Sequence, residues 1–203
     1  TDRGDIECDT VVLAAGAWSE EIAKLAGVHL PNEAHRHEIC ASEPLKPFLG
    51  PLVSVLDSGL YFSQSMRGEI VGGMGDSKEP AGLNLTSTAR FLARYSQALT
   101  EQLPQAGRVK ILRQWSGPYD VTPDNSPILG RTKNLENLLH LSGFVGHGFM
   151  MAPAVTERIR DANVDVVLNL TAGMGGDMVF GDVENPLPLR EQGTDMGGAT
   201  NRV

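Results

Sequence analysis

The sequence predicts a mixed α+β fold. An α/β part lies near the start of the chain and again in residues 113–160, and it encloses an antiparallel-sheet section. Three observations carry this. First, the apolar run Leu138–Leu141 leads into LSGFVGHGFMMAP, with glycines at 143, 146 and 148, and then into a helix-compatible run, Phe149–Ile159. That order predicts a strand, a glycine turn and a helix start. Second, the β-rich run Thr10–Leu13 ends in the small residues Ala14-Ala15-Gly16-Ala17, the pattern of a buried parallel strand. Third, Val53–Phe62 and Glu69–Gly73 flank the turn Met66-Arg67-Gly68, which predicts antiparallel strands.

Taken in order, Thr1–Asp9 predicts the end of a hairpin, with the turn at Arg3-Gly4-Asp5. Small residues at the end of the next strand admit a ligand, because open α/β sheets bind there. Ser19 is placed to cap a helix with Glu20 and Glu21 in its first turn, Ile22, Leu25 and Ala26 on its apolar face, and Gly27 as its stop. Val28–Ser42 holds His29, His35, His37 and Glu38. The H-x-H pair at 35 and 37 admits a metal reading, but no matching second cluster accompanies it, and a strand with polar side chains outward is expected instead. Pro44, Pro47 and Pro51 predict a loop. Gly72, Gly73 and Gly75 follow a hairpin strand with no helix after them, so they are no dinucleotide fingerprint. Close backbone packing and a place near substrate both remain open for them. Thr86–Leu103 repeats Phe91, Leu92, Tyr95, Ala98, Leu99 and Leu103 at helical spacing, with Arg90 and Arg94 on the solvated face. Val109–Trp115 predicts a strand leading to Gly117-Pro118-Tyr119, and Asp120–Ile128 is turn-rich.

Composition narrows function. Hydrophobic residues make up 41% and charged residues 21% of 203, enough for a packed core. Formal charge is 17 − 25 = −8, which argues against nucleic acid or an anionic membrane as partner. No run reaches the roughly 18 apolar residues of a membrane span. The N-terminal TDRGDIECDT shows no signal-peptide pattern, so a cytoplasmic location is expected. Cys8 and Cys40 form no framework and no metal cluster, and free thiols are expected.

VVLAAGAWS at 11–19, a short helix, and a strand-rich stretch after it resemble the D-amino-acid-oxidase-like class of FAD-dependent amine oxidoreductases. The sarcosine oxidase β-subunit and proline dehydrogenase β-subunit branch looks closest. GLYFSQSMRGEIVGGMGD at 59–76 resembles that class's substrate-domain strands, RQWSGPYDVTPDNSPILG at 113–130 its return to the flavin domain, and SGFVGHGFMMAP its flavin-ring loop. The resemblance spans about residues 5–158. It implies a partial Rossmann-like FAD domain from 1–27 and 113–160, with an antiparallel substrate domain, 28–112, inserted. It implies FAD as cofactor, held by Ala15, Gly16 and Trp18 after the first strand, and by Gly143, Gly146, His147, Gly148, Phe149 and Met150 at the glycine loop. It implies an amino acid or secondary amine, sarcosine- or proline-like, as substrate, and possible partner subunits of a hetero-oligomer. The helix start after Gly146-His147-Gly148 would favour negative charge on the reduced ring. His147 is a candidate for ring contact and equally a structural loop histidine. Tyr61 and Arg67 are candidate substrate-side residues; Arg67 would pair with a carboxylate or stand in solvent.

Departures from the class matter. A G-x-G-x-x-G phosphate loop is absent from the sequence, as is the acidic residue for the adenosine ribose. A C-terminal fragment that binds FAD poorly alone is therefore expected, inactive by itself. Met150 stands where monomeric relatives carry a lysine, Ile70 and Met74 where they carry a lysine and a histidine, and Gly117 near a flavin-linking cysteine of others. Covalent attachment is not expected there, and a dehydrogenase passing electrons to another carrier is plausible. The tail, 161–203, departs altogether. Val164–Leu170 predicts a second buried strand, and NLTAGMGGD after it resembles a strand end and loop of a β-keto acid cleavage enzyme, a zinc-dependent barrel. Two other functions follow as alternatives: a fragment of such a lyase, and a non-catalytic subunit that keeps the fold.

Overall fold

The structure, a computed structural model, describes residues 4, 5, 7–161, 166 and 167. In chain order its elements are β1 (Val11–Leu13), a 3-10 turn (Gly16–Trp18), α1 (Ser19–Leu25), β2 (Glu33–Pro44), β3 (Val53–Val55), β4 (Leu60–Gln64), β5 (Glu69–Met74), α2 (Ala89–Gln102), a second 3-10 turn (Pro104–Arg108), β6 (Ile111–Val121), β7 (Ile128–Thr132), β8 (Leu135–Ser142), α3 (Gly148–Asp161) and β9 (Val166–Val167). They fall into two compact units, Thr1–Ala34 with Tyr119–Val203, and His35–Pro118.

The first unit is built on a sheet of order β1-β8-β7-β9. β1 runs parallel to β8, with Val11 opposite Leu138 and Leu13 opposite His140. β7 and β8 form an antiparallel hairpin, with Ile128 opposite Ser142. A small core of Leu13, Ala23, Leu30 and Leu138 ties α1 to β1 and β8. Leu129 and Val155 form a second, under α3.

The second unit is a five-stranded sheet of order β3-β4-β5-β2-β6 with α2 on one face. Alternation along β2 buries Glu38, Cys40 and Ser42. Helical spacing turns Phe91, Tyr95 and Leu99 of α2 onto Cys40, Leu60, Phe62 and Ile70. Each such side chain, fully buried, contributes roughly 1.5–3 kcal/mol. The start of α2 is fixed by a buried carboxylate. Thr88 accepts from the Phe91 N–H at 3.1 Å. Thr88 in turn donates its N–H to Glu38 Oε2 at 2.6 Å and its hydroxyl to Glu38 Oε1 at 2.7 Å. Gln114 Nε2 donates to the same carboxylate at 3.0 Å. Burial pushes the Cys40 thiol up to about 12; Cys8 is exposed, and both thiols are free.

Several expectations need correction. Val53–Phe62 is not one strand: the chain turns at residues 56–59, with Gly59 at φ +67°, and returns as β4. Gly117-Pro118 does not end a strand, because β6 runs on to Val121. β6 is an edge strand, where proline costs no ladder bond. Ser19 is not the cap of α1. It is the first helical residue, fully buried, and the cap position is Trp18 with no side-chain bond. The face of α1 expected inside is also wrong: Ala23 is buried, while Leu25 is 87% exposed. β1 is not a buried strand, since Val11 and Val12 are both exposed. The physical reason is its edge position: among the described residues it pairs with β8 on one side only. Among described residues, 4, 5 and 7–9 form no strand. Apart from Val166 and Val167, which pair with β7, the tail expectations lie outside the described residues.

Candidate functional site

The loop from β8 to α3 is bent by three left-handed residues, Gly143 at φ +78°, Val145 at +46° and Gly146 at +85°. The two glycines are sterically required. A Cβ on Gly143 would come 2.5 Å from Thr122 Cγ2, and one on Gly146 would come 2.5 Å from the Tyr119 ring. Val145 is β-branched, and its left-handed backbone is strained.

Asp120, at the end of β6, holds this loop. Its Oδ2 accepts the Gly143 N–H at 2.6 Å and its Oδ1 accepts the Asn32 amide at 2.7 Å. Its carbonyl accepts the Val145 N–H at 3.1 Å, and the Phe144 carbonyl accepts the His147 N–H at 2.8 Å. Burial pushes the Asp120 carboxyl above the usual range, against the pull of those two donors. With these N–H groups engaged, the donors left to a ligand are those of Gly146 and of Gly148, Phe149 and Met150 in the first turn of α3. A helix start favours negative charge there. Sequence reasoning missed Asp120. It stands in a turn-rich stretch beside Asp124, and nothing local says which aspartate is buried.

β1 and β8, parallel neighbours, end side by side. Beyond β1 come Ala15, half-buried, Gly16, with φ +56° and open space where a Cβ would stand, and Trp18, 41% exposed. Ser19 Oγ and Ser142 Oγ, at this same end, are fully buried and lack a hydrogen-bond partner. The expected loop residues do come together. Gly143 is buried, Gly146 and the His147 side chain are exposed, and Phe149 and Met150 stand 98% and 72% exposed.

In the second unit, Tyr61 lies inside β4 and Arg67 in the exposed β4–β5 turn. The Arg67 side chain is 85% exposed, and its Nε lies 3.5 Å from Glu69 Oε1. Tyr61 Oη is 3.0 Å from His37 Nε2, and the two rings stack with centroids 5.7 Å apart. Burial pulls the His37 imidazole down to about 4, with the Glu38 charge acting in the other direction. In the sequence His37 stands out only as half of an H-x-H pair. Among the described residues, no group of three or more His, Cys, Asp or Glu is placed to hold a metal.

The DAO family, described as FAD dependent oxidoreductase, matches residues 1–162. Sarcosine oxidase subunit beta of Rhizobium meliloti (strain 1021) is 35% identical over 156 residues, 76% of this chain and 36% of the relative. L-proline dehydrogenase from P. horikoshii superposes with a TM-score of 0.73 at 36% identity, over 79% of this chain and 45% of that one. A third relative, 3-dehydrocarnitine:acetyl-CoA trimethylamine transferase of Rhizobium meliloti (strain 1021), is 74% identical over 49 residues, 24% of this chain and 16% of its own. The chain thus spans 36% of that sarcosine oxidase subunit, 45% of that proline dehydrogenase chain and 16% of that transferase. On the family match, which covers most of its length, the chain belongs to the DAO family of FAD dependent oxidoreductases.

Proposed function

We propose that this chain is part of a flavin enzyme that oxidises the C–N bond of an amino acid or secondary amine, sarcosine- or proline-like. The observation that carries it is the Asp120-braced glycine loop, which leaves Gly146 and the first turn of α3 as a set of free N–H donors. The residues present suit the ring end of FAD. Four backbone donors and a helix start meet negative charge, Gly16 leaves open space after β1, and Ser19 Oγ and Ser142 Oγ offer unpartnered polar atoms. FAD, when bound, supplies the two-electron acceptor. The chain supplies position and charge through Ala15, Gly16, Trp18, Gly143 and residues 146–150. Gly143 acts by shape alone, because its N–H is engaged by Asp120. Tyr61 is assigned to the substrate side. Exposure of Arg67 beside Glu69 supports a solvated arginine rather than a carboxylate clamp.

Residues 28–112 are proposed as the substrate domain. Partner subunits are proposed because one relative is itself a beta subunit. No helix among the described residues is long and apolar enough to cross a membrane, and a cytoplasmic location belongs to the same proposal. We assign the 49-residue match to the trimethylamine transferase to the tail, as a piece of separate origin; sequencing genomic DNA across codons 155–165 tests that.

The function is tested on the full-length enzyme that carries this chain, saturated with FAD, by adding sarcosine, L-proline or glycine without oxygen. Bleaching of the flavin absorbance by at least one of the three is expected. Unchanged absorbance with all three refutes the proposal. Binding of FAD by the chain alone should be weak, because the sequence holds no G-x-G-x-x-G phosphate loop.

A further inference from the structure

In the first unit, one face of β8 gathers buried polar atoms. Alternation along β8 puts Leu138, His140 and Ser142 in one row, all three buried. Leu138 packs with Ala23 of α1, whereas Leu141, of the other row, packs with Val155 of α3. The row of Leu138, His140 and Ser142 therefore faces α1. Ser19 and Ala23 are the buried residues of α1, four apart and so on one stripe. The turn Gly16–Trp18, just before Ser19, also lies against β8. Ser19 is thus held against the same row. Asn32 reaches the end of the row from another direction. Its amide nitrogen donates to Asp120 Oδ1, and Asp120 Oδ2 accepts the N–H of Gly143, the residue after Ser142. All of these residues belong to the first unit.

Four atoms here are buried without a hydrogen-bond partner among the described residues: Ser19 Oγ, Asn32 Oδ1, His140 Nδ1 and Ser142 Oγ. Each sits on a residue more than nine-tenths buried. An orphaned polar group in a dry interior is costly, and buried polar atoms of native proteins are met by protein or by ordered water. The four atoms define the chemistry that suits them. Asn32 Oδ1 only accepts, because the amide nitrogen is turned to the Asp120 carboxylate. The two serine hydroxyls donate or accept. His140 has its Nε2 against Thr132 Oγ1, and burial pulls its imidazole down. The ring is neutral near pH 7, and its Nδ1 donates or accepts according to tautomer. None of the four atoms carries a charge, so neither a cation nor an anion is favoured. Their burial shuts out any large molecule. Water donates and accepts at once, fits the space a buried site leaves, and takes about three partners.

We infer that this face of β8 holds buried water, bonded by Ser19 Oγ, Asn32 Oδ1, His140 Nδ1 and Ser142 Oγ, which joins the start of α1 to the Asp120 brace of the glycine loop. Such water goes beyond the flavin reading and is expected with or without a bound flavin. It gives the segments at 15–18 and 143–150 a shared support.

The test is a crystal structure of the full-length enzyme that carries this chain, together with two variants. Ordered density is expected at roughly 3 Å from Ser142 Oγ and from at least one of the other three atoms. No density there, or density at the metal-ligand distances of about 2.0–2.4 Å, overturns the inference. Ser142→Ala should lower the melting temperature, because the water loses a partner. A rise overturns the inference, since deleting a hydroxyl that bonds nothing relieves the fold. Ser19→Ala touches no partner of Asp120, yet it should speed hydrogen exchange at the Gly143 amide about fivefold, the scale of one neutral hydrogen bond. Unchanged exchange at Gly143 overturns the joining role. Should either variant fail to fold, the density in the wild-type enzyme decides.

Discussion

The two units bury their apolar residues differently. In the second, α2 lies on one sheet, and eight buried residues form a single core. In the first, burial among the described residues is split between a cluster of four that includes Leu13 and a pair, Leu129 and Val155. Val11, Val12, Ile22, Leu25, Phe149 and Met150 of that unit are exposed. The difference teaches that the second unit carries its own stability, whereas the first holds its loop by polar bracing through Asp120 more than by packing.

The sharpest way to break that contrast is Gly72→Val. Its Cβ would lie 2.3 Å from the Tyr61 carbonyl and 2.6 Å from Tyr95 Oη. A loss of about 3 kcal/mol or more is expected in urea unfolding. A smaller loss would mean that the sheet and α2 are less tightly joined than the core suggests.

Acid separates the units next. Folded His37 takes its proton only near 4, whereas the unfolded residue does so near its usual 6.5. Lowering the pH through that window favours the unfolded chain, by up to roughly 3 kcal/mol for a fully formed shift. Asp120 acts with the opposite sign. Its folded carboxyl is raised, so its contribution is full below the unfolded value and is lost as pH rises through the folded one. Thermal melts of wild type against His37→Gln between pH 4 and 7 should lose most of the acid slope in the variant. An identical slope in both would place the acid sensitivity elsewhere.

Asp120→Asn tests the bracing in the first unit. The new amide would present either an oxygen to Gly143 or an oxygen to Asn32, but not to both, since each of those groups donates. A loss of about 1–3 kcal/mol is expected, with faster hydrogen exchange at the Gly143 amide. Protection unchanged at Gly143 would show that Thr122 and Tyr119 suffice to hold the loop.

Val145→Gly is smaller and of opposite sign. Releasing a β-branched residue from φ +46° should stabilise by up to about 1 kcal/mol, offset in part by the entropy of a new glycine. Smallest is Leu25→Ala, at an 87% exposed position, expected within about 0.5 kcal/mol of wild type. A large loss there would mean that this apolar surface is covered in solution.

Legibility followed the length and regularity of each signal. α2 was readable because Phe91, Tyr95 and Leu99 repeat at helical spacing over a long stretch. The glycine loop was readable in position, since strand, turn and helix start follow one another in sequence, but not in its bracing, because Asp120 lies 23 residues before Gly143. Leu25 misled because periodicity tells which residues share a face and not which face is covered. Pro118 misled because a proline's meaning depends on whether its strand is at an edge, and sheet order is not local information. His37 and Tyr61, 24 residues apart, met only through Gly73, whose lack of a side chain could be read in the sequence but whose reason could not.

The open side of β1 has a consequence for handling the protein. Among the described residues no strand pairs with the outer side of this three-residue strand, and Val11 and Val12 stand half in water beside it. Such an edge recruits other strands. At low ionic strength the formal charge of −8 keeps copies apart. Added salt shortens the reach of that repulsion to about 3 Å at 1 M while the apolar attraction persists. Colloidal stability should therefore fall with salt, and storage buffers should be dilute.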